Sequence, residues 1–229
     1  MNNAEKILRT VRQETGDVIL FSSVLGKDSI LLTHYCSLIF RKVTVVFMYI
    51  VKDLEHVMKY QRFFERRYPN IKYLNLPHYC ISSFVKVGYL GLRKDPKQKA
   101  YTLANIDQIA RDQTGLRWSV YGMKKSDSMN RRLQLNGYPD GICHASNKVY
   151  PLKDMTNKQV IGLIDYYRLP KPVTYVEYGQ SSGEDLENPN YLNWLWENYP
   201  EDLRRTFEAF PGTKTIFYES EYYKEHPEG

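Results

Sequence analysis

Along the first half of the chain, apolar runs of six to eight residues alternate with longer segments whose apolar residues recur every three to four positions. The first pattern suits strands and the second helices. Residues 4–14 look helical. Asp17–Ser22 then reads as a strand, and Ser29–Phe40 carries apolar residues at helical spacing. Val43–Ile50 is β-branched and nearly continuous, which predicts a strand covered on both faces. Asp53–Tyr68 is a charged amphipathic helix closed by Pro69, and Ile71–Leu76 is a third strand. Strand, helix, strand, helix, strand at this spacing predicts parallel pairing with right-handed crossovers.

Beyond Pro77 the pattern weakens through a basic stretch, Lys86–Lys99, punctuated by Gly88, Gly91 and Pro96. Two readings stand there, a mobile lid and a plain solvated connection. Helix resumes over Leu103–Thr114, and Arg117–Tyr121 is a fourth strand. Later, Pro151 stops a strand, Thr156 and Gln159 form a capping box, and Leu169-Pro170 ends the helix it opens. From Thr174 onward the character changes. Glu177–Asp185 is a glycine/serine loop, and Tyr191–Trp196 and Leu203–Phe210 predict two short amphipathic helices. The expected fold is α/β, a parallel sheet of about five strands flanked by helices in a Rossmann-like manner. It spans residues 1–173, followed by a C-terminal helical extension over 174–229.

At 229 residues the chain can bury a full core. No run of 18 apolar residues occurs and the amino end is polar, so neither a membrane span nor a signal peptide is expected, and a cytoplasmic location follows. Cys36, Cys80 and Cys143 are widely spaced with no Cys-x-x-Cys pair. A disulfide framework, a zinc knuckle and a cysteine-held iron–sulfur cluster therefore lack their ligands. Cys143 stands beside His144, which could lower its pKa, but neighbours on a strand point to opposite faces, so an incidental thiol is the competing reading. The net charge of +6 favours anionic ligands, with the basic residues dispersed among 26 acids.

The densest chemistry lies in Val18–Leu32: an apolar run, the loop Ser22-Ser-Val-Leu-Gly-Lys-Asp-Ser29, and a second apolar run. Strand, loop and helix in this order suit an anion. Gly26 lets backbone approach phosphate, and the first turn of the helix offers N–H groups at its positive end. Lys27 supplies a mobile cation, Asp28 a carboxylate able to hold Mg²⁺, and Ser29 a hydroxyl donor. The bland alternative is an ordinary strand-to-helix turn capped by Asp28 and Ser29.

Gly26-Lys27-Asp28-Ser29 resembles the core of the PP-loop, the Ser-Gly-Gly-Lys-Asp-Ser signature of ATP pyrophosphatases and of the phosphoadenosine phosphosulfate (PAPS) reductase-like family. Leu25 stands where the first glycine is expected and Val24 where the serine is. Either Ser23 does the missing serine's work, or the phosphate pocket is narrower. Tyr121–Arg132 resembles the family's Gly-x-Arg segment, with Gly122 as its glycine, Lys124 in place of arginine and a helix expected to open near Ser126. There Lys124 and Lys125 either neutralise a polyphosphate or are solvated lysines before a capped helix. Val149–Pro172 is similar to the family's Pro-Leu-x-Asp-Trp-Thr stretch, with Met155 for the tryptophan and Asp154 fixing the turn.

The resemblance covers roughly residues 17–180 and implies an adenine-nucleotide α-hydrolase fold that cleaves ATP between its α- and β-phosphates, with Mg²⁺. It implies Lys27, Asp28 and Lys124 as catalytic groups, and Asp28 as the metal ligand. Ser23, Gly26, Lys27, Ser29, Met48, Gly122, Lys125 and Arg131 are the implied nucleotide contacts. Sulfonucleotide reductases resembling this family use a cysteine in a C-terminal tail, whereas this chain carries no cysteine after Cys143. Three readings stay open: ATP cleavage with AMP passed to an unknown acceptor or released, sulfonucleotide reduction through Cys143 or a partner's thiol, and a nucleotide-binding or structural protein whose loop has decayed. A nucleic-acid acceptor is permitted. Aromatics near Arg204 and Arg205 either stack on bases, or cover a sheet edge or the interface of a homo-oligomer.

Overall fold

The computed structural model describes residues 2–171 and 185–225, which group into two compact units. The glycine/serine loop read from the sequence lies outside the described residues, apart from Asp185. The first unit draws on residues 2–47, 60–76 and 107–171, the second on 48–59, 77–106 and 185–225.

The first unit is built on a six-stranded sheet among the described residues, in the order β3-β2-β1-β4-β6-β5. Its strands are β1 (Asp17–Ser22), β2 (Lys42–Tyr49), β3 (Ile71–Pro77), β4 (Ser119–Tyr121), β5 (Ile142–Cys143) and β6 (Lys148–Val149). β1 runs parallel to β2 and β4, and β4 to β6, while β5 turns back antiparallel at the edge. From β1 the chain moves outward through β2 and β3, then returns to place β4 on the other side of β1. The carboxyl ends of β1 and β4 thus flank a switch point, where parallel sheets leave a crevice for ligands.

The helices follow from the sequence pattern. α1 (Asn3–Glu14), the helix expected over residues 4–14, is opened by a capping box of Asn2 and Glu5 and buries Ala4, Ile7, Leu8 and Val11. α2 (Lys27–Ile39) is buried on nearly every side and packs on α1 and on α7 (Asn157–Tyr166). Each fully buried leucine there, such as Leu31 or Leu32, contributes roughly 1.5–3 kcal/mol. Among its polar residues, Thr33 donates to the Ser29 carbonyl, and the His34 ring meets the Tyr68 hydroxyl at 2.6 Å. α3 (Glu55–Arg67) is the amphipathic helix expected over 53–68, and α5 (Leu103–Thr114) the helix expected to resume at Leu103. Ser119 at the start of β4 donates to the buried Asp107 of α5, which also pairs with Arg111 at 3.1 Å. The box of Thr156 and Gln159 opens α7 as read from the sequence.

In the second unit, α4 (Cys80–Val87) occupies ground where the sequence pattern had weakened, and Gly88 ends it in the left-handed region at φ 76°. A 3₁₀ turn follows at Tyr89–Gly91, then residues 92–102, mostly exposed and without helix or strand. α8 (Pro189–Asn198) and α9 (Pro200–Ala209) are the two predicted helices, and α10 (Thr213–Glu225) is a third that the pattern does not announce. The Asp202 carboxylate accepts from the backbone N–H groups of Glu55 and His56 and meets His56 Nδ1 at 2.8 Å. It serves as a cap for the first turn of α3 supplied from far along the chain. None of the described helices is long and apolar enough to cross a membrane.

Candidate functional site

The loop after β1 is tightly wired. Ser23 N–H donates to Ser29 Oγ at 2.9 Å, and the two hydroxyls lie 3.1 Å apart. A side chain at Gly26 would collide with Ser23 Oγ, since an added Cβ would lie 2.5 Å from it. Of the two sequence readings, this geometry has Ser23 standing over the glycine, exposed, with Ser29 buried beneath as its brace. Val24 makes this possible by adopting φ 62°, a conformation costly for a β-branched residue. Strain of this kind, of order 1–3 kcal/mol, persists where surrounding structure enforces it. Gly26 is the N-cap of α2 and offers no side-chain cap, so Asp28 and Ser29 are not the capping residues of the bland reading. Lys27 and Asp28 form the first turn.

Three segments meet at this edge of the first unit. Lys124, from the loop after β4, is fully buried and forms an ion pair with Asp28, while Lys27 Nζ reaches the same Asp28 oxygen at 3.3 Å. A buried ammonium is tolerable only when paired. Lys124 also meets Asp127 Oδ1 at 3.3 Å, and Arg131 meets Asp127 at 2.8 Å. Asp154 receives Lys125 at 2.9 Å and the buried Lys153 at 2.5 Å, and Lys125 N–H donates to the Lys153 carbonyl. Lys27, Lys124, Lys125, Lys153 and Arg131 outnumber Asp28, Asp127 and Asp154, so the edge carries excess positive charge. Burial alone would raise the Asp127 carboxyl, but the Lys124 N–H, the Lys124 ammonium and Arg131 bring it below the ordinary range. Asp154 is likewise lowered, burial being outweighed by Lys153 and Lys125.

Gly122 lies where β4 passes the start of α2, and an added Cβ would meet Leu32 and Asp28 at ordinary contact distance. Its position is therefore not enforced by crowding. The expected helix near Ser126 starts later: Ser128 is the N-cap of α6 (Met129–Asn136), accepting from Arg131 N–H. The reason is that Asp127 is used in a turn, accepting from Lys124 N–H while its own N–H donates to the Lys124 carbonyl. Met48 lies at the end of β2, half-buried, among the residues of the second unit. Lys153 was missed by sequence reasoning, its only signal being a lysine between the Leu152 and Asp154 of the third motif.

Asp28 Oδ1 is buried without a hydrogen-bond partner among the described residues. A lone carboxylate oxygen of this kind suits Mg²⁺, which takes one or two carboxylates and completes its shell with water and phosphate. No group of three or more His, Cys, Asp or Glu side chains that could hold a metal by themselves occurs among the described residues.

Cys143 is far from this edge. Its register partner is Lys148, which pairs with Ser119 and, through it, with Ile19. The phosphate-type loop begins only after Ser22, roughly 10 Å further along the strands and three strand spacings of about 4.8 Å across. His144 does not activate it, since the ring turns to Glu14 at 3.5 Å and stands edge-on to Trp118. What lowers the Cys143 thiol from its ordinary range is the Ser146 hydroxyl, at 3.1 Å, with help from Tyr138 and Lys148. A cavity of about 360 Å³ also opens at this amino edge, between Glu14, Asp17, Arg41, Arg117, Trp118 and Asn147, and none of the motif residues lines it.

A mostly parallel α/β sheet with a switch point thus carries at its carboxyl edge a helix that starts at Gly26, beside the buried Lys27 and Lys124. The chain belongs to the phosphoadenosine phosphosulfate reductase domain family, whose model matches residues 18–177. The match includes all three motif segments. No curated protein matches the chain. Among solved structures it is similar to the NH3-dependent NAD synthetase of Campylobacter jejuni, at 16% identity over 97% of this chain and 96% of that one, with a TM-score of 0.48. It is also similar to a U34-tRNA thiolase of Methanococcus maripaludis, at 12% identity over 93% and 78%, with a TM-score of 0.46. A third is the glutamine-dependent NAD+ synthetase of Acinetobacter baumannii, at 15% identity over 99% and 44%, with a TM-score of 0.49.

Proposed function

We propose that the first unit binds an adenine nucleotide at the carboxyl ends of β1 and β4 and cleaves ATP between its α- and β-phosphates. The observation that carries this reading is the convergence of Lys27 and Lys124 on Asp28 at the start of α2. Two ammonium groups and a helix N-terminus form an electrostatic seat for a polyphosphate, and preorganised charge is the largest contribution to such reactions. An acceptor oxygen or water attacks the α-phosphorus, the bond to the bridging oxygen of the β-phosphate breaks, and pyrophosphate leaves. Lys27 and Lys124 meet the charge developing on that pyrophosphate. Ser23 and the first N–H groups of α2 orient the phosphates, and Lys125 and Arg131 extend the seat. Mg²⁺, held through Asp28 Oδ1, would add neutralisation of the departing charge. The net charge of +6 permits a nucleic-acid acceptor, which a steep loss of DNA or tRNA binding with rising salt would reveal.

Thermal melting with ATP, ADP, AMP, PAPS and adenosine phosphosulfate, each with and without Mg²⁺, tests the reading, together with pyrophosphate release. A ligand that binds only the folded chain raises its melting temperature by mass action. The expected result is stabilisation by ATP with Mg²⁺ and slow pyrophosphate release that Lys124→Ala reduces. No shift with any nucleotide at millimolar concentration removes the site. Stabilisation without pyrophosphate release leaves a binding protein, and sulfite release from PAPS replaces the reading with reduction.

A further inference from the structure

A second reactive pair lies in the other unit. His78 Nδ1 is 2.7 Å from Cys80 Sγ, and the Cys80 backbone N–H also points to Nδ1, at 3.2 Å. A ring nitrogen that accepts from an amide carries its lone pair there, so neutral His78 holds its proton on Nε2. The thiol is then the donor and the imidazole the base. Tyr79 covers a face of the ring, with centroids 4.3 Å apart, and the His78 backbone is tied at both its N–H, which donates to the Tyr49 carbonyl, and its carbonyl, which accepts from Ile81 N–H. Cys80 is the first residue of α4, at the helix end that favours negative charge. Both side chains are partly exposed. A nucleophile, a base within hydrogen-bond reach and groups that orient the base are the parts of an activated thiol. Burial lowers the His78 pKa, which keeps the ring neutral and ready to take a proton near pH 7.

The two other cysteines lack this arrangement. Cys36 is fully buried, which pushes its thiol up, and Cys143 is held by hydroxyls with no imidazole base. We infer that Cys80 and His78 form a base-activated thiol that reacts with hydroperoxides, an activity independent of the nucleotide site. The Cys80 S–H proton passes to His78 Nδ1 as the sulfur attacks one peroxide oxygen. The O–O bond breaks, and the leaving hydroxide of hydrogen peroxide, or alkoxide of an alkyl hydroperoxide, takes the proton from His78 and departs as water or alcohol. Sulfur is oxidised to a sulfenic acid, the peroxide is reduced, and no further reactant is needed. A hydroperoxide is the class that fits because its leaving group is a strong base needing the proton His78 has just accepted. A half-covered thiol also admits a small oxidant.

The test uses the full chain pulsed with hydrogen peroxide at pH 7, sulfenic acid trapped by dimedone and quantified at each cysteine by peptide mass spectrometry. Native Cys80 is expected to oxidise roughly tenfold or more faster than Cys80 of the denatured chain, and faster than native Cys143. His78→Gln should slow Cys80 about tenfold while Cys143 keeps its rate, which also reports an intact fold. Native Cys80 no faster than denatured Cys80, or a folded His78→Gln variant as fast as the parent, overturns the proposal. Should His78→Gln expose Cys36 and so prove unfolded, the native-against-denatured comparison on the parent decides alone.

Discussion

Lys124 and Asp28, 96 residues apart in the chain, form an ion pair in which the lysine is fully buried. The pair ties the loop after β4 to the first turn of α2, so the proposed polyphosphate seat needs no ligand to assemble it. It also makes the two residues energetically coupled. Lys124→Met should cost about 2–3 kcal/mol in urea unfolding, by leaving Asp28 and Asp127 short of compensation. Asp28→Asn combined with Lys124→Met should cost less than the sum of the single changes by about 1 kcal/mol or more. Strict additivity would mean that the pair contributes no coupling.

The contact of Ser23 with Gly26 predicts a separation of stability from binding. In Gly26→Ala the new methyl drives the Ser23 hydroxyl away from Ser29, a rotation that a short side chain can make. Unfolding free energy should fall by no more than about 1 kcal/mol, whereas ATP affinity should weaken roughly tenfold, equivalent to about 1.4 kcal/mol. Calorimetric titration beside a urea melt reads both. Unchanged affinity would return the loop to a plain turn.

Acid should destabilise the protein in a defined window. Asp127, Asp154 and Asp202 all have folded pKa values below their ordinary range, so each binds its proton more weakly folded than unfolded. Their stabilisation is complete above the unfolded carboxylate value near 3.9 and is lost as pH falls through the lower folded values. Melting temperature should therefore hold from pH 7 to about pH 5 and fall below that. Asp202→Asn, which weakens the acceptor for Glu55 and His56 N–H, should lower the plateau and flatten the acid limb. An acid limb as steep as the parent's would show that Asp202 does not carry it.

Nucleotide turnover should not need thiols. Cys143 sits at the opposite end of the strands from the loop, so Cys143→Ser, and replacement of all three cysteines in a variant that stays folded, should leave pyrophosphate release from ATP within about twofold of the parent. Loss of turnover in a folded cysteine-free chain that still binds nucleotide would assign the chemistry to a thiol.

Much of the first unit was legible because its signals are local. The β1 run of Asp17–Ser22 and the Thr156–Gln159 box each depend on residues within a few positions, and the structure has them as read. Elsewhere local signals were too short or were overridden. β5 is only two residues long, below any period, and α4 starts just beyond Pro77, where the pattern weakens. Ser126 was the wrong cap because Asp127 gives its side chain to a turn, leaving Ser128 to open α6.

By its sequence the chain determined that strand, loop and helix follow one another at residues 17–39 and that Gly26, Lys27, Asp28 and Ser29 occupy the start of the helix, since backbone preference and hydrophobic period act over a few residues. Only the tertiary structure decided which charges meet. Lys124 reaches Asp28, and Lys153 shares Asp154 with Lys125, because strand order places β4 beside β1 and the loops after β4 and β6 side by side. The same register carries Cys143 to the other edge. Such pairings depend on long-range closure of the sheet and on side-chain direction, neither of which is written in the spacing of residues along the chain.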